Sequence, residues 1–112
     1  MSGAICNIIE DLEHRGGLRG RDIANIADVS TATVSRWRAG KAIPQPRYQL
    51  IIADLRYVVD RLSEIYTPDE TRIWLYSRNA LLDGGRAIDL IHESRTEEVL
   101  SAIERLDAGA FL

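Results

Sequence analysis

The chain has 112 residues, 46% hydrophobic and 28% charged, with a formal net charge of −3 and one cysteine. That size and composition describe one compact globular domain, or two very small ones sharing a core, and exclude a low-complexity or disordered protein. Cys6 alone excludes an internal disulfide and agrees with a cytoplasmic location; no basic region leads into an apolar run at the start, and the longest apolar runs, such as Leu50 to Ala53, fall far short of the ~20 residues of a membrane span.

In chain order the pattern is all-α. The first helix runs from Ala4 to about His14, with Ile5, Ile8, Ile9 and Leu12 on one face, and Gly16-Gly17 ends it. Residues 20–39 then predict two short helices crossing at a tight turn, a helix-turn-helix. Ile23, Ala24 and Ala27 form the inner stripe of its first helix, and Val34 and Trp37, three apart, that of its second. Asp28 and Val29 occupy the turn, Val29 plugging the angle between the helices, and Ser30 is placed to cap the second helix. Ala24 is small where the two axes approach most closely. Gly40 closes this helix, and the segment KAIPQP, with two prolines, makes an extended turn.

Pro46 opens a long helix to about Ile65, with Leu50, Ile51, Leu55, Val58, Val59, Leu62 and Ile65 as a wide apolar face. Thr67-Pro68-Asp69-Glu70 is a helix start: a capping threonine, proline at the first helical position, and a glutamate placed to complete a capping box. This fifth helix runs to about Tyr76 with Trp74 as a core residue. A loop around Asp83-Gly84-Gly85 follows, then a helix from Ala87 to about Glu93. Thr96 is expected to cap a last helix that turns Val99, Leu100, Ile103 and Leu106 inward and ends at Gly109. A boundary near Tyr66/Thr67 divides an N-terminal helix-turn-helix bundle, residues 1–66, from a small helical module, residues 67–112.

Charge follows the same division. Between residues 15 and 47, Arg15, Arg19, Arg21, Arg36, Arg38, Lys41 and Arg47 face only Asp22 and Asp28, whereas both flanking stretches are net acidic. A basic excess that coincides with the helix-turn-helix points to operator DNA as a partner. In such a unit the start of the second helix meets base edges, which nominates Thr31, Ala32, Thr33, Ser35 and Arg36. The Arg36 guanidinium can donate two parallel hydrogen bonds to one guanine, and Thr31 and Ala32 offer methyl groups to a thymine. Ser30, Arg38, Lys41, Arg19 and Arg21 are expected on phosphates, which position without specifying sequence. The plainer readings are that Val34 and Trp37 are core, Ser30 only a cap, and Arg38 and Lys41 a solvated helix end favoured by the helix dipole.

Catalysis has little to rest on. His14 and His92 lie on separate helices, no His/Cys/Asp/Glu cluster has metal-ligand spacing, and Gly84-Gly85 lacks the lysine of a phosphate loop, so no enzyme activity, metal or cofactor is expected.

In the second half, Trp74-Leu75, Asn79, Leu82, Gly84-Gly85-Arg86, Ile88, Leu90, Ile91, Val99, Leu100, Ile103, Leu106, Gly109 and Phe111 fall in an order that resembles the C-terminal domain of the Xre/MbcA/ParS antitoxins. With the helix-turn-helix ahead of it, the resemblance covers nearly the whole chain. It implies a RES-domain, NAD-degrading toxin as partner, neutralised by direct binding, and repression of the shared operon. It also implies that Gly109, Ala110, Phe111 and Leu112 lie at the toxin's cleft. Arg86 is placed to pair with an acid of that toxin, or with Asp83 or Asp89 nearby, and Phe111 to anchor the interface or fold back as core. Members of this family commonly carry prolines where this chain has Ala80 and, after the Gly-Gly-Arg stretch, Ala87-Ile88. The expected assembly is a homodimer within a larger toxin–antitoxin complex, on a palindromic operator. A stand-alone dimeric repressor without a toxin, and an adaptor whose helix-turn-helix no longer binds DNA, are the alternatives.

Overall fold

The computed structural model describes residues 3–109, and within them the chain is all-α apart from one very short hairpin. The helices are α1 (Gly3–Gly16), α2 (Gly20–Ala27), α3 (Thr31–Arg38), α4 (Pro46–Ser63), α5 (Pro68–Tyr76), α6 (Ala87–His92) and α7 (Thr96–Gly109). The hairpin pairs β1 (Arg78–Asn79) with β2 (Gly85–Arg86), Arg78 opposite Arg86, around a 3-10 turn over Ala80–Leu82. Sequence pattern suggested only a loop there. Asn79 starts the turn by accepting a hydrogen bond from the Leu81 amide at 2.9 Å, and Asp83 ends it in the left-handed region at φ 56°.

α4 is the spine. Its buried residues Ile52, Leu55, Val58, Val59 and Leu62 meet α1 and α2 on one side and α5, α6 and α7 on the other. The core is therefore continuous: Ile9, Leu12, Ile23, Val34 and Trp37 of the first half join Leu75, Ile91, Val99 and Ile103 of the second. Arg15 to Asp60 at 2.6 Å and Arg56 to Asp11 at 3.0 Å bracket the α1–α4 contact. Between α1 and α2, Gly17 has φ +63°, and a Cβ on it would stand 2.8 Å from the Pro68 carbonyl oxygen, so glycine alone lets this loop rest on the start of α5.

Most helix boundaries follow local chemistry. Thr67 and Glu70 form the expected capping box, Pro46 and Pro68 open their helices, and Gly40 at φ +75° ends α3. Three expectations are corrected. Leu50 is 67% exposed and Ile65 37% exposed, so neither belongs to the inner face of α4. Leu50 sits roughly 200° of helix rotation from the buried Ile52, and Ile65 lies past the helix end. Thr96 is the first residue of α7 rather than its cap: its hydroxyl donates to Asp54 of α4 at 3.0 Å, a tertiary bond in place of a local one.

Candidate functional site

α2 and α3, eight residues each, are joined by Asp28, Val29 and Ser30. Asp28 takes the left-handed conformation, φ 62°, and the Val29 amide donates to the Ala24 carbonyl at 2.9 Å, closing α2. Ala24 and Ala27 are buried against α3, and Val34 and Trp37 face back into the core. Burial of those two turns the opposite face of α3 outward. Thr31, Ala32, Ser35 and Arg36 are all exposed there, with Thr33 half-buried beside them.

Two of these side chains, Thr33 and Arg36, are linked to the Ser30 cap. Ser30 Oγ accepts from the Thr33 amide at 3.1 Å and lies 2.9 Å from Thr33 Oγ1, which in turn accepts from Arg36 Nη2 at 3.2 Å. The cap thus reaches along the exposed face and orients the guanidinium. Arg19, Arg21 and Lys41 are exposed around α3 with no acidic partner among the described residues. Arg38 is engaged with Glu13 of α1 at 3.1 Å, and Arg15 is tied to Asp60. Both lie inside the basic stretch, yet each is held by an acid from another helix.

In the second half, Arg86 donates to both carboxylate oxygens of Asp89, at 2.9 and 3.1 Å, which is the local pair among its expected options. Gly109 is exposed at the end of α7. Ala110, Phe111 and Leu112 lie outside the described residues.

Sequence reading missed a polar centre between the halves. Asp22, in the first turn of α2, has a side chain only 4% exposed. It accepts from Arg72 Nη1 at 2.5 Å and Nη2 at 3.3 Å, from the Tyr76 hydroxyl, and from the Arg19 amide at 2.7 Å. The Arg72 guanidinium also stacks 4.8 Å from the Tyr76 ring centroid. Burial pushes the Asp22 carboxyl up, but these hydrogen bonds and the Arg72 charge together outweigh it and hold the group below its ordinary range. Burial, and then the bond to the Asp22 carboxylate, push the Tyr76 hydroxyl up to about 12.

At the other end of α2, His92 Nδ1 lies 2.7 Å from the Ile26 carbonyl oxygen and so donates to it. Cys6 Sγ likewise donates to the Arg38 carbonyl at 2.8 Å, at the end of α3. The acid in the first turn of α2 was the one sequence signal available for this centre, since an aspartate three residues after Arg19 is a helix-start pattern; its partners, 50 and 54 residues away, left none.

No protein-family model matches the chain. It is 33% identical over 98 residues to the mycobacterial cidal antitoxin MbcA of Mycobacterium tuberculosis and of Mycobacterium bovis, covering 88% of this chain and 87% of that one. It is 40% identical over 96 residues to a probable mycobacterial cidal antitoxin of M. tuberculosis, covering 86% and 82%. Among solved structures, a chain from the crystal structure of the M. tuberculosis MbcT–MbcA toxin–antitoxin complex matches with a TM-score of 0.83 and 30% identity, over 96% of each chain.

Proposed function

Because this chain belongs to the MbcA family of antitoxins, we propose that it binds and neutralises a RES-domain, NAD-degrading toxin and represses its own operon through a helix-turn-helix formed by α2 and α3. The observation that carries the antitoxin reading is the match, along 96% of the chain, to a structure of a toxin–antitoxin complex. It favours a toxin partner over a stand-alone repressor, because a likeness along 96% of the chain takes in most of the second half and not the helix-turn-helix alone.

For DNA, the support is the outward face of α3. Thr31, Ala32, Thr33, Ser35 and Arg36 are the base-facing set, with Arg36 reading a guanine, and Ser30, Arg19, Arg21, Lys41 and Arg38 hold phosphates. Arg38 exchanges Glu13 for a phosphate when it does so. Residues 1–66 carry this role and residues 67–112 the toxin contact, with Arg86 and Gly109 to Leu112 at the toxin. Leu50 and Tyr57, seven residues apart on the outer face of α4 and 67% and 57% exposed, are apolar surface available to a homodimer within the larger complex. The palindromic operator then carries half-sites about one turn, roughly 34 Å, apart. The working location is the cytoplasm; no described helix is long and apolar enough to cross a membrane.

Co-expression with the product of the adjacent gene tests the toxin arm. The two are expected to co-purify, and removal of Gly109 to Leu112 to weaken protection of cells while leaving the fold and DNA binding intact. A truncated chain that protects fully removes the C-terminal segment from the interface. Retardation of a duplex from the protein's own promoter, weakened in Arg36→Ala, tests the DNA arm.

A further inference from the structure

α2 is gripped at both ends by the second half of the chain. At its start, Asp22 receives both Arg72 nitrogens and the Tyr76 hydroxyl of α5, and Arg72 Nη1 also reaches the Gly17 carbonyl, 3.4 Å away, in the loop ahead of α2. At its end, His92 of α6 holds the Ile26 carbonyl. The two anchors are four residues apart, roughly 6 Å along the axis.

Apolar burial of Ile23, Ala24, Ile26 and Ala27 keeps α2 in the core, but that force is non-directional and leaves the helix free to slide and roll. A forked guanidinium on a carboxylate, and a ring N–H on a carbonyl, fix angle as well as distance. An unpaired buried carboxylate is strongly disfavoured, so the Asp22 contact is not easily released. α3 follows α2 after three residues, and whatever sets α2 sets α3.

We propose that Arg72, Tyr76 and His92 are positioning residues for DNA recognition: they fix the pose of α2, and through it the exposed face of α3, without touching nucleic acid. This rests on the reading of α2 and α3 as the DNA-binding unit. It adds that the second half is part of the reader's frame, although none of its residues faces the groove.

The test uses the full-length chain with His92→Ala, His92→Asn and Tyr76→Phe. His92 is exposed and Tyr76→Phe removes one hydroxyl, so folding is expected to survive, and thermal melts establish that it does. Affinity for a duplex from the protein's own upstream region is measured by fluorescence anisotropy across a salt series, alongside hydrogen exchange of the α2 and α3 amides. His92→Ala and Tyr76→Phe are expected to weaken binding about three- to thirty-fold and to speed exchange across α2. His92→Asn, which keeps an N–H near the Nδ1 position, is expected to recover most of the affinity. Variants that bind like the wild type overturn this inference alone, as do variants that lose affinity while exchange across α2 and α3 stays unchanged, which marks a direct contact with the duplex. A wild-type chain that leaves the duplex unbound overturns the DNA reading itself, and this inference with it.

Discussion

Around α3, Arg19, Arg21, Arg36 and Lys41 stand in water without an acidic partner among the described residues, whereas beyond residue 48 Arg56, Arg72, Arg86 and Arg95 each hold a carboxylate and only Arg61, Arg78 and Arg105 hold none among the described residues. The chain thus uses one residue type in two ways. A paired arginine is spent inside the fold, and recruiting it to a ligand breaks an existing contact. An unpaired one can take a phosphate, displacing cations condensed on the nucleic acid, at no internal cost. Arg15 and Arg38 show that position in sequence does not decide which use applies, since both lie in the basic stretch and both are paired.

The largest effect bears on whether the two regions are separate at all. Leu55 is buried in the spine they share, and Leu55→Ala is expected to cost about 2–5 kcal/mol. Trp37 and Trp74 place one fluorophore in each half. Single-tryptophan versions of the wild type and of Leu55→Ala should unfold at the same urea concentration by either probe. Two midpoints in the wild type show that the halves melt independently, which breaks the shared-core picture.

Next comes the centre at Asp22. Arg72→Ala is expected to destabilise by about 1.5–3 kcal/mol in urea, the usual range for hydrogen bonds to a charged group. The pH dependence has a definite sign at each end. Tyr76 titrates near 12 in the folded chain against about 10 unfolded, so its contribution is complete below pH 10 and is lost as pH rises toward 12. Asp22 is held below its ordinary value, so its contribution is present above about pH 4 and is lost as pH falls through the folded value. Tyr76→Phe should flatten the alkaline limb of the stability profile and leave the neutral plateau lower.

A third outcome sharpens the contrast between free and paired arginines. Arg36→Ala is expected to cost about 1–3 kcal/mol on the preferred operator and to relax preference at one base pair. Arg21→Ala should weaken all duplexes alike and reduce the salt slope by about one. Arg38→Ala should do less than Arg21→Ala, because binding through Arg38 first breaks its pair with Glu13. Equal losses at Arg21 and Arg38 show that this pairing does not limit contact.

Smallest is the cap at the border of the two regions. Thr67→Ala removes the acceptor for the Glu70 amide and is expected to cost about 1 kcal/mol. A loss this small in the melting curve, with unchanged DNA affinity, assigns the cap to α5 alone.

Local chemistry carried a long way in this chain. The bounds of α5 follow from Thr67-Pro68 and Glu70, the end of α3 from Gly40, and the inner faces of α2 and α3 from residues three and four apart. Each depends on neighbours within one helical turn, where sequence separation equals spatial separation. The candidate DNA face was legible for the same reason: once Val34 and Trp37 are inward, the outward residues of α3 are fixed. Leu50 was misplaced because hydrophobicity says that a residue can be buried, whereas the angle of α4 against its neighbours says which ones are.

Composition and periodicity by themselves determined the helices, the caps at Ser30 and Thr67, and the surplus of positive charge around α3. Only the folded chain decided which arginines remain free, that Thr96 bonds to Asp54 instead of capping, and that Asp22 meets Arg72 and Tyr76 across 50 residues or more. The physical reason is range: caps and helical stripes are set by contacts within a turn, while a buried carboxylate finds its partners only after the spine has brought α2 and α5 together.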